Sequence, residues 1–247
     1  DGTRLAGTLT VPRGGGPHPA VVLITGTGAQ DRDESIAGHK PFLVMADYLT
    51  RHGIAVLRVD DRGVGGSTGD MSKATSADFV GDVLAGVEFL STQPDIDPRK
   101  IGLIGHSEGG LIAPMVAARS ERVAFVVLLA GTGVPGREVL RAQSELIDVA
   151  MGMTPEEAKV ETADQDAMLA LVLSGADEAT VLTKMREVGE RQLAAADAST
   201  DPKRREEAKT QRATLSATIK QQYKQLSSPW LVYFLTLDPR ESLRKTH

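Results

Sequence analysis

Short apolar runs alternate with longer stretches of mixed polarity up to about residue 136, and the pattern then changes. Leu5 to Val11 alternates polar and apolar positions, which predicts a half-buried strand. Ala20 to Thr25, Ile54 to Val59, Ile101 to Ile104 and Val123 to Ala130 are dominated by Val, Ile, Leu and Ala. Such near-continuous runs suit parallel strands covered on both faces. Between them, Pro41 to His52, Ser76 to Thr92 and Gly109 to Arg119 carry helix-like patterns. Strand and helix in regular alternation predict an α/β fold with a doubly wound, mostly parallel sheet. Folds of this kind place ligands beyond the carboxyl ends of the strands. The turns after Thr25, Val59 and Gly105 all fall at that edge.

Residues 137–247 are rich in Ala, Glu, Lys, Arg and Gln and poor in strand formers. Thr154-Pro155-Glu156-Glu157 reads as a helix start, with Thr as N-cap, Pro in the first position and Glu in the third. Ala176 to Ala196 and Asp201 to Leu226 continue the helical pattern, and Asp201-Pro202 is a second start signal. The chain therefore divides into a sheet-bearing core, residues 1–136, and a helical cap region, residues 137–247. The apolar spacing of the cap is too irregular for a coiled coil.

Composition narrows the function classes. The 247 residues are 41% hydrophobic and 25% charged, with a net charge of -5 and no basic cluster that would suit nucleic acid. Cysteine is absent, which excludes disulfides and a thiol nucleophile. No apolar run approaches the roughly 20 residues that a membrane-spanning helix needs. No metal-ligand cluster or phosphate loop is present, so no cofactor and no metal are expected. Gly26-Thr27-Gly28 and Gly63-Val64-Gly65 each begin like a dinucleotide loop, but Asp31 and Thr68 stand where the third glycine belongs.

The chemistry concentrates at Gly105-His106-Ser107-Glu108-Gly109, between an apolar strand and a helix-like segment. Glycines two before and two after the serine let the backbone pack tightly, and the serine is expected in a strained conformation that lifts its hydroxyl above the sheet. The helix start behind it offers N–H groups and partial positive charge to a developing oxyanion.

With two other segments, this pentapeptide resembles the α/β-hydrolase superfamily. Leu23-Ile24-Thr25-Gly26-Thr27-Gly28-Ala29-Gln30-Asp31-Arg32-Asp33 is similar to its oxyanion turn, and Asp60-Asp61-Arg62-Gly63-Val64-Gly65-Gly66-Ser67 to its D-x-R-G-x-G-x-S loop. The resemblance covers essentially the whole chain. It points to bacterial serine esterases with a helical lid after the sixth strand, close to carboxylesterases and serine aminopeptidase-like hydrolases. It implies Ser107 as the catalytic nucleophile, with the backbone amides of Glu108 and Thr27 as the oxyanion hole and Gly28 as the alternative to Thr27. Asp60, Asp61 and Arg62 are expected to brace their loop. Asp31, Arg32, Asp33 and Glu34 are expected in a solvated or salt-bridged loop near the mouth of the site. The Glu108 side chain is expected at most behind the site, and that of His106 turned away from the serine hydroxyl.

The resemblance also implies an acid and a histidine after the nucleophile, each following a further strand. His18, His39, His52 and His106 all precede Ser107, and only His247 follows it. Taking Trp230 to Leu237 as a strand, Asp238 as acid and His247 as base leaves nine residues between acid and base. A parallel crossover needs about a dozen or more. Val123 to Ala130 reads like an interior strand, yet no later strand is available to cover its outer edge, so the sheet is expected to be incomplete. The sequence is therefore expected to be a fragment of a larger enzyme, with acid and base beyond residue 247, and with little turnover on its own. The expected substrate is a small-molecule ester, cleaved through an acyl-enzyme on Ser107. Thioester or peptide cleavage would use the same groups. A non-catalytic α/β-hydrolase-fold protein that binds a ligand or partner is the alternative from another class.

Overall fold

A computed structural model describes residues 2–246 of the chain. Five strands form one sheet: β1 (Gly7–Thr10), β2 (His18–Ile24), β3 (Ala55–Val59), β4 (Ile96–His106) and β5 (Val123–Leu129). Their order across the sheet is β1-β3-β2-β4-β5, with β1 antiparallel to β3 and all other pairs parallel. The helices α1 (Pro41–Arg51), α2 (Ser76–Ser91) and α3 (Glu108–Ala117) make the crossovers. This is the mostly parallel, doubly wound α/β sheet expected from the alternation of apolar runs.

Burial explains the pattern. Val21, Leu23, Val56 and Ile104 of the sheet pack with Phe42 and Ala46 of α1 in one core cluster. Helix α3 is buried from Glu108 to Val116, as its lack of polar positions requires. Strand β4 begins earlier than the apolar run, at Ile96, which pairs with His18. Polar Asp97 to Lys100 hide this extension in the sequence. They are accommodated because Pro98, Arg99 and Lys100 are exposed and Asp97 bonds to Arg99.

Strand β5 is an edge. Among the described residues no strand pairs with its outer side, and Phe125, Val127 and Leu128 are 36–40% exposed. The expected uncovered edge is therefore present.

Residues 137–235 form a second compact unit, while 236–246 belong with the sheet unit. The separate unit consists of α4 (Gly136–Ala150), α5 (Pro155–Leu173), α6 (Glu178–Asp197), α7 (Pro202–Leu226) and α8 (Pro229–Thr236). Thr154 and Glu157 form the anticipated capping box, and Asp201 caps α7. Val181 and Met185 of α6 pack on Ile219 of α7. The apolar run from Trp230 is helix α8, which agrees with the rejection of Trp230 to Leu237 as a strand. Asp238 is held by Arg240 through bonds of 2.8 and 2.6 Å, which takes its carboxyl down to about 2. His247 lies outside the described residues. The final helix, α9 (Arg240–Arg244), packs on α3. Among the described residues no helix is long and apolar enough to cross a membrane.

Candidate active site

Parallel pairing brings the ends of β2 and β4 together, with Ile24 opposite Gly105. The turn that leaves β2 and the corner that leaves β4 therefore meet. At that corner Ser107 has φ 51° and ψ -112°, a left-handed conformation that side chains rarely adopt. Its N–H donates to Leu129 O at 2.9 Å and its carbonyl accepts from Gly110 N at 2.9 Å. The strain inferred from the glycine spacing is present, and Ser107 stays partly exposed at the head of buried α3.

The turn after β2 closes on this corner. A Cβ on Gly26 would stand 3.4 Å from Ser107 Cβ and 3.2 Å from His106 Nδ1. Thr27 and Gly28, next along the turn, are exposed, and neither backbone N–H has a protein partner among the described residues. Such a donor is open to an incoming oxygen. Glu108 opens α3, and its buried side chain accepts a 2.6 Å hydrogen bond from Ser76 Oγ, behind the corner.

Carboxylates fix the turn from below. Asp60 takes a two-pronged bond from Arg32, at 3.0 and 2.6 Å, and the Gly66 and Arg32 amides at 3.0 and 2.9 Å. Arg32 holds the Asp60 carboxyl down at about 2. Asp33 is paired with the buried Arg58 and with Lys40, and Arg62 with Asp82. Asp61 accepts from Thr25 Oγ1 at 2.8 Å and from Gln30 N at 2.9 Å, so one side chain ties both ends of the turn. The expected bracing role of Asp60, Asp61 and Arg62 matches these contacts.

Of the two expectations for its loop, solvated or salt-bridged, Glu34 meets the second. It is 5% exposed, not solvated, and its Oε1 accepts from Gly26 N at 2.7 Å and pairs with His106 Nδ1 at 2.8 Å. No local pattern marks it, because its partner lies 72 positions away in sequence. Of the other described histidines, His18 begins β2, His39 sits in an isolated bridge with Ile36, and His52 caps α1. No group of three or more His, Asp or Glu side chains among the described residues is arranged to hold a metal ion.

Burial, aided by the nearby charges of Glu108 and Asp82, pushes Asp61 up to about 6, against the opposing bonds from Gln30 and Thr25. Between the ordinary carboxyl range and about pH 6 the folded chain then binds more protons than the unfolded one. Stability contributed by this group falls as pH rises through that window. Asp61→Asn removes the titration. Its stability relative to wild type is expected to improve by up to about 3 kcal/mol between pH 4 and pH 7. Urea melts at both pH values check this, and a pH-independent difference would contradict it.

The sequence model of the family described as X-Pro dipeptidyl-peptidase (S15 family) matches residues 1–233. Esterase EstD of Thermotoga maritima is 34% identical over 139 residues, covering 56% of this chain and 33% of EstD. The putative hydrolase YtaP of Bacillus subtilis is 32% identical over 131 residues, covering 45% of this chain and 43% of YtaP. This chain thus matches only a third to two fifths of these relatives' length. Among solved structures, the α/β hydrolase GrgF from Penicillium sp. sh18 aligns with a TM-score of 0.46 at 22% identity, over 60% of this chain and 52% of GrgF. Est1E from Butyrivibrio proteoclasticus, solved with ferulic acid bound, aligns with a TM-score of 0.45 at 24% identity, over 57% and 54%. With the family match running through nearly the whole sequence, the chain belongs to the X-Pro dipeptidyl-peptidase (S15) family, within the α/β-hydrolase superfamily.

Proposed function

We infer that this protein is a serine hydrolase of carboxylic esters, with Ser107 as nucleophile and the amides of Thr27 and Glu108 as oxyanion donors. The reading is carried by one observation: Ser107 sits in a left-handed corner with the Gly26 turn against its Cβ. Similarity to an esterase over 139 residues supports ester cleavage.

Ser107 Oγ attacks the ester carbonyl carbon and loses its proton to a general base. Charge collects on the carbonyl oxygen, where preorganised amides lower the barrier by about 3 kcal/mol each. The carbon–oxygen bond to the alcohol then breaks, the alcohol leaves with a proton, and the acyl group stays on Ser107. Water attacks the acyl carbon, releases the acid and restores the hydroxyl. None of the described histidines is assigned as the base. His106 Nδ1 is held by Glu34.

The test uses the product of the complete reading frame. p-Nitrophenyl butyrate and Gly-Pro-p-nitroanilide are offered in parallel, and a fluorophosphonate is reacted with the protein. Ester hydrolysis and a phosphonyl adduct on the Ser107 peptide are expected. Faster turnover of the anilide replaces the ester reading with a peptidase. An adduct elsewhere, or none, removes Ser107 as nucleophile.

A further inference from the structure

Glu34 carries two costs. Among the described residues it is one of four other than glycine with positive φ, at 52°, and its carboxylate is almost fully buried. A left-handed backbone is unfavourable for a residue with a Cβ. A buried carboxylate must recover its lost hydration through hydrogen bonds. Residues held against such costs cluster at functional sites.

What the structure obtains in return is specific. A single oxygen, Glu34 Oε1, bonds Gly26 N at 2.7 Å and His106 Nδ1 at 2.8 Å. Among the described residues the carboxylate has no other partner. Gly26 immediately precedes Thr27, whose amide is unpartnered, and His106 immediately precedes Ser107. A Cβ at Gly26 would lie 3.2 Å from this same Oε1 and 3.4 Å from Ser107 Cβ. The oxygen therefore stands where the two functional segments touch. Glu34 adopts its left-handed conformation at the end of a turn in which its N–H donates to Asp31 O at 2.9 Å. That turn bends the chain back and directs the carboxylate inward.

The acceptor oxygen also sets the imidazole. It requires a proton on His106 Nδ1, which fixes the ring plane against the Gly26 turn. The ring is 45% exposed.

We propose that Glu34 is a positioning residue that locks the oxyanion turn to the nucleophile corner, through Gly26 on one side and His106 on the other. The proposal rests on the reading of Ser107 as nucleophile. Oxyanion donors act on charge that exists only in the transition state, so their misplacement lowers kcat and leaves KM nearly alone. A displacement of about 1 Å costs about a hundredfold.

The variants separate this role from a folding role. Glu34→Gly removes the carboxylate and also relieves the left-handed backbone. It is expected to keep or raise the melting midpoint while kcat for p-nitrophenyl butyrate falls by about 30- to 100-fold and KM moves by less than about threefold. Glu34→Gln keeps an acceptor oxygen of the same reach and is expected to stay within about fivefold of wild type. Glu34→Asp is too short to span both partners and is expected to resemble Glu34→Gly. All are measured in the complete reading-frame product, beside Ser107→Ala. Absence of Ser107-dependent hydrolysis in the wild type overturns the nucleophile reading and this proposal together. Ser107-dependent hydrolysis that Glu34→Gly leaves within threefold overturns the proposal alone. So does a change confined to KM, or loss of the melting transition in both Glu34→Gly and Glu34→Gln, which would make Glu34 a folding residue.

Discussion

Ser107→Ala is expected to cut kcat/KM for p-nitrophenyl butyrate by at least about a thousandfold, because the acyl-enzyme cannot form without the Ser107 hydroxyl. The same position should respond in the opposite sense in stability. Its φ of 51° and ψ of -112° are unfavourable for any residue that carries a Cβ. Alanine keeps the Cβ and the strain, so its melting midpoint should match wild type. Glycine removes both and is expected to stabilise the fold by about 1 kcal/mol, or about 2–4 °C in a chain of this size. Activity lost in both variants, with stability gained only in Ser107→Gly, is the signature of a nucleophile held in tension. Residual turnover in Ser107→Ala above about a tenth of wild type would place the reaction on another residue. Equal melting of all three proteins would mean that the corner is not strained in solution.

Much of this was legible in the order of residues, for local reasons. Parallel strands buried on both faces leave continuous apolar runs, and β2, β3 and β5 fall within one or two residues of theirs. Helix starts at Thr154 and Asp201 are written in side chains that bond to their own backbone. The corner at Ser107 is legible because glycine spacing reports directly on backbone approach. Other features hid for equally definite reasons. An apolar run of eight residues such as Trp230 to Leu237 suits a strand or a buried helix alike, and only packing decides. Burial of Glu34 depends on a partner at the far end of another strand. In a segment as charged as Asp31-Arg32-Asp33-Glu34, one acid turned inward leaves no mark on the pattern. Residues 236–246 rejoin the sheet unit through α9 on α3, a long-range contact that helical composition conceals.

Gly109→Ala is expected to be among the most damaging single methyls that can be added at this chain's site. A Cβ there would stand 2.2 Å from Ile24 O and 2.8 Å from Thr25 O. These are backbone atoms at the end of β2, where a flexible side chain cannot give way. Relief requires α3 and β2 to separate, which moves the Gly26 turn off the Ser107 corner. Gly105→Ala meets the same obstacle, with its Cβ 2.0 Å from Gly109 O. Overpacking against fixed backbone belongs with the most damaging substitutions, at about 4 kcal/mol or more. A loss of about 8–16 °C in melting midpoint is expected, or failure to accumulate in soluble form. Gly81→Ala is the internal control. Gly81 lies inside helix α2 with nothing within 4 Å of the added methyl, so alanine there should stabilise by up to about 1 kcal/mol. Should Gly109→Ala melt like Gly81→Ala, the close approach of β2 to the start of α3 would not exist in solution. The oxyanion turn would then have no fixed neighbour. Because both glycines lie within helices and neither has a positive φ, the comparison separates that approach from a general intolerance of the helices to substitution.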